Sequence, residues 1–115
     1  MWTKEAVKEL LTTNRWAVIK GVLAIYSRQT RDEQLQQATK YHNEVGFNGA
    51  DSTILSSFAE QIQRWMDYPD QRKYDFPLSI KQFAVAQKKI VKYAGQLAEI
   101  ANAKAAETPK ELVEV

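Results

Sequence analysis

Six residues, Phe83, Ala86, Ile90, Tyr93, Leu97 and Ile100, recur at steps of three and four. At 3.6 residues per turn, that spacing lays one apolar stripe along a helix of about five turns. Such a stripe must be covered, and other helices are the natural cover. The start of this helix is written into the sequence. Ser79 and Gln82 have the spacing of a capping box, and Leu78 and Phe83 occupy the positions of a hydrophobic staple. The helix is expected to end near Ala103 to Ala106, because Thr108-Pro109 cannot continue it. At 100° per residue, Lys81, Lys88 and Lys92 fall together on the face opposite the stripe.

The same reasoning finds four earlier helices. Thr3 caps a short one from about Lys4 to Leu11, and Thr13 or Asn14 caps a second from about Arg15 to Arg28. The second carries Trp16, Val18, Ile19, Val22, Leu23, Ile25 and Tyr26, apolar nearly all round, as a central helix should be. Thr30 with Glu33 reads as a capping box for a polar third helix from about Arg31 to His42, with Leu35, Ala38 and Tyr41 facing inward. Asn48 with Asp51 reads as another box, opening a fourth helix from about Gly49 to Asp67. In that helix Ile54, Leu55, Phe58, Ile62 and Trp65 keep helical spacing. No strand alternation or internal repeat competes with this pattern. The expected fold is therefore all-α: a compact single-domain bundle of about five helices over residues 1–106. Residues 107–115 are expected to be a flexible acidic tail.

Composition narrows the chemistry. A chain of 115 residues, 44% of them hydrophobic, suffices for one core. It contains no cysteine, which excludes disulfides and thiolate zinc sites. The opening MWTKEAVKELL lacks the basic-then-apolar pattern of a secretion signal, and no stretch has the length of a membrane span. These features lead us to expect a cytoplasmic protein with no membrane partner. The formal charge is only +2, but Arg72 to Lys92 holds six Lys/Arg against one Asp.

No catalytic constellation emerges. Ser52, Ser56 and Ser57 lack the elbow of a serine hydrolase. His42 is the single histidine and has no partners at metal-ligand spacing. We therefore expect no enzyme, no metal and no cofactor. The phrase GFNGAD, Gly46 to Asp51, precedes a helix start, where free N–H groups attract anions. It follows no strand and lacks the lysine of a phosphate loop, so the reading is structural. In that reading Gly46 and Gly49 supply permissive backbone, Phe47 plugs the core and Asn48 caps. The connection Tyr68–Leu78, YPDQRKYDFPL, is long for a loop and rich in aromatics. Arg72, Lys73, Lys81, Lys88, Lys89 and Lys92 are the candidate phosphate contacts, with Tyr74 as a stacking ring. Cations beside aromatics are what a nucleic-acid surface uses. Trp2 and Tyr68 are the candidate protein-interface anchors.

Three phrases in order, AIYSRQTRDEQ (Ala24 to Gln34), GFNGADSTILSSFAEQ (Gly46 to Gln61) and PLSIKQFAVAQKKIVKYAGQLAEIAN (Pro77 to Asn102), resemble a group of small proteins of bacteriophages, prophages and other mobile elements. The resemblance covers roughly residues 15 to 102. Its last phrase also resembles helical segments attached to replication or helicase-like phage proteins. The resemblance implies a phage or mobile-element origin and action in the host cytoplasm. It brings no assigned activity and no functional residues. Two functions stay open. One is a nucleic-acid-binding accessory protein of phage DNA metabolism or replication. The other is a protein-binding inhibitor or modulator of a host defence or replication complex, with a host or phage protein as its partner. Self-association through the fifth helix is a third arrangement.

Overall fold

The computed structural model describes residues 1–36 and 47–107, and the side chains of 1–28 and 47–105. Within them the chain is helical and contains no strand. The elements are α1 (Lys4–Thr13), α2 (Arg15–Gln36), α3 (Gly49–Asp67), α4 (Ile80–Ile90) and α5 (Ala94–Glu107). A 3-10 turn over Pro69–Gln71 follows α3, and another over Val91–Tyr93 joins α4 to α5. The all-α bundle read from the sequence is the fold observed.

Capping sets most of the boundaries. The Thr3 hydroxyl accepts the Ala6 N–H at 3.1 Å and starts α1. That helix runs to Thr13 rather than Leu11. Of the two caps considered for α2, Asn14 is the one used: its Oδ1 accepts from the N–H groups of Trp16 and Ala17. The Ser79–Gln82 box forms in both directions. Gln82 then pairs its amide reciprocally with Gln61 of α3 at 2.9 and 3.0 Å, so the cap of α4 is also a strut to α3.

The expected third helix is corrected. No helix starts at Thr30, because α2 continues unbroken through Gln36. A capping box works only where the preceding backbone has left the helix, and nothing in Ser27–Gln29 breaks it. The rest of that expected helix, with Ala38, Tyr41 and His42, lies outside the described residues, as do Gly46 and the tail residues 108–115. The side chain of Leu35 lies outside them too. The expected long C-terminal helix is present as α4 and α5. Ile90, Val91 and Ala94 keep right-handed helical backbone through the tightened turn between them.

The core follows the stripes. Val18, Ile19, Val22 and Ile25 of α2 are buried, with Leu55, Phe58 and Ile62 of α3 and Ala86, Ile90, Tyr93 and Leu97 of α4–α5. α2 contacts α1, α3, α4 and α5, which is the central position its all-round apolarity implied. Gly21 permits its close approach to α4 and α5: a Cβ there would stand 3.2 Å from Leu97 Cδ1 and 3.4 Å from Ile90 Cγ1. Phe47 is buried edge-on against Tyr93, ring centroids 5.5 Å apart. Gly49 does not need to be glycine. Its φ is not left-handed and a Cβ would meet nothing within 4 Å. This corrects the permissive role expected for it.

Candidate functional site

Asn48 caps α3 as expected, its Oδ1 accepting the Asp51 N–H at 2.9 Å. The second half of the expected box does not form. The Asp51 carboxylate turns inward instead, and the residue is only 1% exposed. Its Oδ2 accepts from the Tyr93 hydroxyl at 2.8 Å and from Lys92 Nζ at 2.8 Å, and its Oδ1 from Lys89 Nζ at 3.1 Å. The Tyr93 oxygen in turn accepts the Asn48 N–H at 2.9 Å. The GFNGAD helix start therefore does face an anion, supplied by its own third helical residue.

The electrostatics favour that carboxylate. Burial by itself would raise its pKa. Donation from Lys92, Tyr93 and Lys89 outweighs burial and holds it at about 2, against an ordinary 3.8. Tyr93 moves the other way. Burial first, and then the adjacent Asp51 charge, push its phenol up to about 12, although the Asn48 N–H opposes them.

This arrangement divides the expected cations. Lys89 and Lys92 turn their ammonium groups toward α3, and the Lys92 side chain keeps 53% of its surface in solvent. Lys92 therefore does not share a free face with Lys81 and Lys88. Those two remain exposed on α4, two turns and about 10 Å apart along the axis. From Phe76 to Ala98 the chain contains four lysines and no acid. Among the described ion pairs Asp51 takes two of these lysines, Lys89 and Lys92, and Lys81 and Lys88 take part in none.

The loop after α3 is pinned from inside. Arg72 donates from Nε to the Trp65 carbonyl at 2.6 Å, and its guanidinium carbon lies 3.7 Å from the Trp65 ring centre. It closes the end of α3 and stacks on the indole, so it is not a free phosphate contact. Trp65 donates its indole N–H to the Tyr74 carbonyl at 3.0 Å. This fixes the backbone at Tyr74 while the residue stays 76% exposed. Lys73 beside it is exposed as well. Below them Trp16 packs on Trp65 and Phe76, and Arg15 lies 4.6 Å from the centre of the Phe76 ring. Tyr68 is 55% exposed at the C-cap of α3. Trp2 is distant in sequence and tied elsewhere. Its backbone N–H and C=O both bond the Asn102 side chain of α5 at 2.9 Å, and its indole is part-exposed.

The structure thus brings Lys73 and Tyr74 to one loop and leaves Lys81 and Lys88 open on α4. It withdraws Arg72, Lys89 and Lys92 into internal contacts. Sequence reasoning missed Asp51 and Tyr93 as a polar hub and Arg15 as part of the aromatic stack. Among the described residues no group of three or more His, Cys, Asp or Glu could hold a metal, and no helix is long and apolar enough to cross a membrane. No protein-family model matches the chain, and neither the curated proteins nor the solved structures compared with it give a significant match.

Proposed function

We propose that the protein is a non-enzymatic nucleic-acid-binding accessory protein of phage or mobile-element DNA metabolism, with α4 as its contact face. The observation that carries this reading is the acid-free stretch Phe76–Ala98, with Lys81 and Lys88 exposed on α4. A phosphate backbone needs such a face, and no nearby carboxylate on these elements competes for the two free ammonium groups. Lys73 and the ring of Tyr74 stand at the N-terminal approach to the same helix.

The structure also selects the variants that test the reading. Charge reversal at Lys92 would place an acid beside Asp51 and perturb the fold. Lys81→Glu with Lys88→Glu changes exposed residues only. Anisotropy with labelled DNA should show binding that weakens as salt rises. The double variant should weaken it further and reduce the salt slope by about 1.4 to 1.8, the value for two lost phosphates. Unchanged binding by that variant, or no binding at low salt, would refute the reading.

A second reading, a protein-binding modulator of a host or phage complex, is favoured by one observation. Met66, Tyr68, Tyr74 and Ile80 are all at least half exposed within one short segment, and Ile80 is 90% exposed. Exposed aromatics and Met are typical of interface centres. Recovery of one stable host partner by the wild type, lost with Ile80→Asp, would support it.

A further inference from the structure

The aromatic cluster where α2 meets α3 and the loop after it is only partly absorbed by the core. The rings of Trp65, Trp16, Phe76 and Phe83 follow one another at 6.1, 4.9 and 5.6 Å between centroids. Phe83 belongs to α4, so the series runs into the helix that carries Lys81 and Lys88. Phe76 and Phe83 are half-buried and pack on the core. Trp16 is 39% exposed, and Tyr74, whose carbonyl is bonded by Trp65, is 76% exposed. A ring that open contributes little to a core. Arg15 lies 5.7 Å from the Trp16 ring centre and 4.6 Å from that of Phe76. Arg15 and Lys73 are exposed and take part in none of the described ion pairs.

We propose that this cluster is a base-stacking platform, which makes the protein bind single-stranded nucleic acid in preference to duplex. The proposal rests on the nucleic-acid reading above and adds Arg15 and Trp16 to its contacts. Trp16 and Tyr74 stack on unpaired bases, and Arg15 and Lys73 meet the phosphates beside them. The preference follows from access. A duplex offers a protein the edges of its bases in the grooves, whereas a single strand also offers their faces. Asp75 adjoins Tyr74 and offsets part of the local charge, so the rings must supply the selectivity.

The test uses the full chain and fluorescence anisotropy at physiological salt, with probes of about 12 nucleotides, within the span of single-strand sites. The probes are a pyrimidine strand, the same strand annealed to its complement, and an abasic strand of equal length. The pyrimidine strand should bind about tenfold tighter than the duplex, although the duplex carries twice the phosphates. It should bind about fivefold or more tighter than the abasic strand, the effect of one stacked base. Tyr74→Ala removes an exposed ring and keeps the carbonyl that Trp65 bonds. That variant should weaken binding of the pyrimidine strand about fivefold or more, with the salt slope and the abasic affinity unchanged. Equal or tighter binding of the duplex, equal binding of the abasic strand, or unchanged affinity in Tyr74→Ala would overturn the platform and leave the nucleic-acid reading standing. Binding of no probe, even at low salt, would overturn both.

Discussion

Replacing Asp51 with Asn removes one charge from the hub and leaves its shape almost unchanged. The carboxylate accepts from three donors, whereas an amide offers one oxygen and presents an NH₂ to the others. The pKa of about 2, against 3.8, measures how strongly the fold prefers the charged form. At about 1.4 kcal/mol per pH unit that preference is about 2.5 kcal/mol. The two lysines are partly exposed, so solvent screening brings the expected loss in Asp51→Asn to about 2 kcal/mol. The pH dependence follows from the sign. A carboxylate whose folded pKa is depressed contributes fully above its unfolded value, near 3.8. Its contribution is lost as pH falls from about 4 toward 2. Urea unfolding followed by tryptophan fluorescence, at pH 7, 5 and 2.5, should show a gap of about 2 kcal/mol between wild type and variant. That gap should persist at pH 5 and largely close at pH 2.5. An equal gap at pH 7 and 2.5, or one below about 0.5 kcal/mol at pH 7, would refute the assignment of Asp51 as a charged hub.

The same hub has an alkaline counterpart. Tyr93 has a raised pKa, so its stabilisation is complete below pH 10 and is lost as pH climbs toward 12. Tyr93→Phe should abolish that alkaline loss. At pH 7 it should cost about 1–2 kcal/mol, because the Asn48 N–H loses its acceptor. Denaturant melts of both proteins between pH 7 and 12 would show it. The glycines should separate by environment. Gly95→Ala, within α5 and with open space at its Cβ, should stabilise by about 0.5–1 kcal/mol. Gly21→Val should destabilise by about 1–3 kcal/mol, because its side chain would run into Leu97 and Ile90. Circular-dichroism melting curves would rank the two against wild type.

What the sequence reveals here is what depends on near neighbours. The stripes of α3 and of α4–α5, and the caps Thr3, Asn48 and Ser79, were legible because spacing and short-range hydrogen bonding specify them. Thr30 misled because a box signature says nothing about whether the upstream backbone has left its helix. The 3-10 turn over Val91–Tyr93 was equally hidden. It contains no glycine or proline, and it sits where Lys92 and Tyr93 both reach Asp51 from another helix. Periodicity assigned Lys89 and Lys92 to positions on a helix. It could not show the acid that α3 brings against them, a contact spanning 42 residues for Tyr93. The withdrawal of Arg72 onto Trp65 was hidden for a different reason. That contact is only seven residues long, but it depends on how the loop after α3 turns.

The paired bonds between Trp2 and Asn102 bear on the order of assembly. They join positions 100 residues apart, beside the contact in which α1 packs on α5. Closing so long a loop carries an entropy cost that local helix formation does not. Val7 and Leu11 of α1 are therefore expected to find cover late, once α2 to α5 have condensed. The transition state should be structured around α2, α3 and α4, with substitutions in α1 accelerating unfolding more than they slow folding. During synthesis α1 would emerge before α2 to α5 and dock after them. Its apolar residues would stay open to a chaperone or to a neighbouring chain until α5 has emerged.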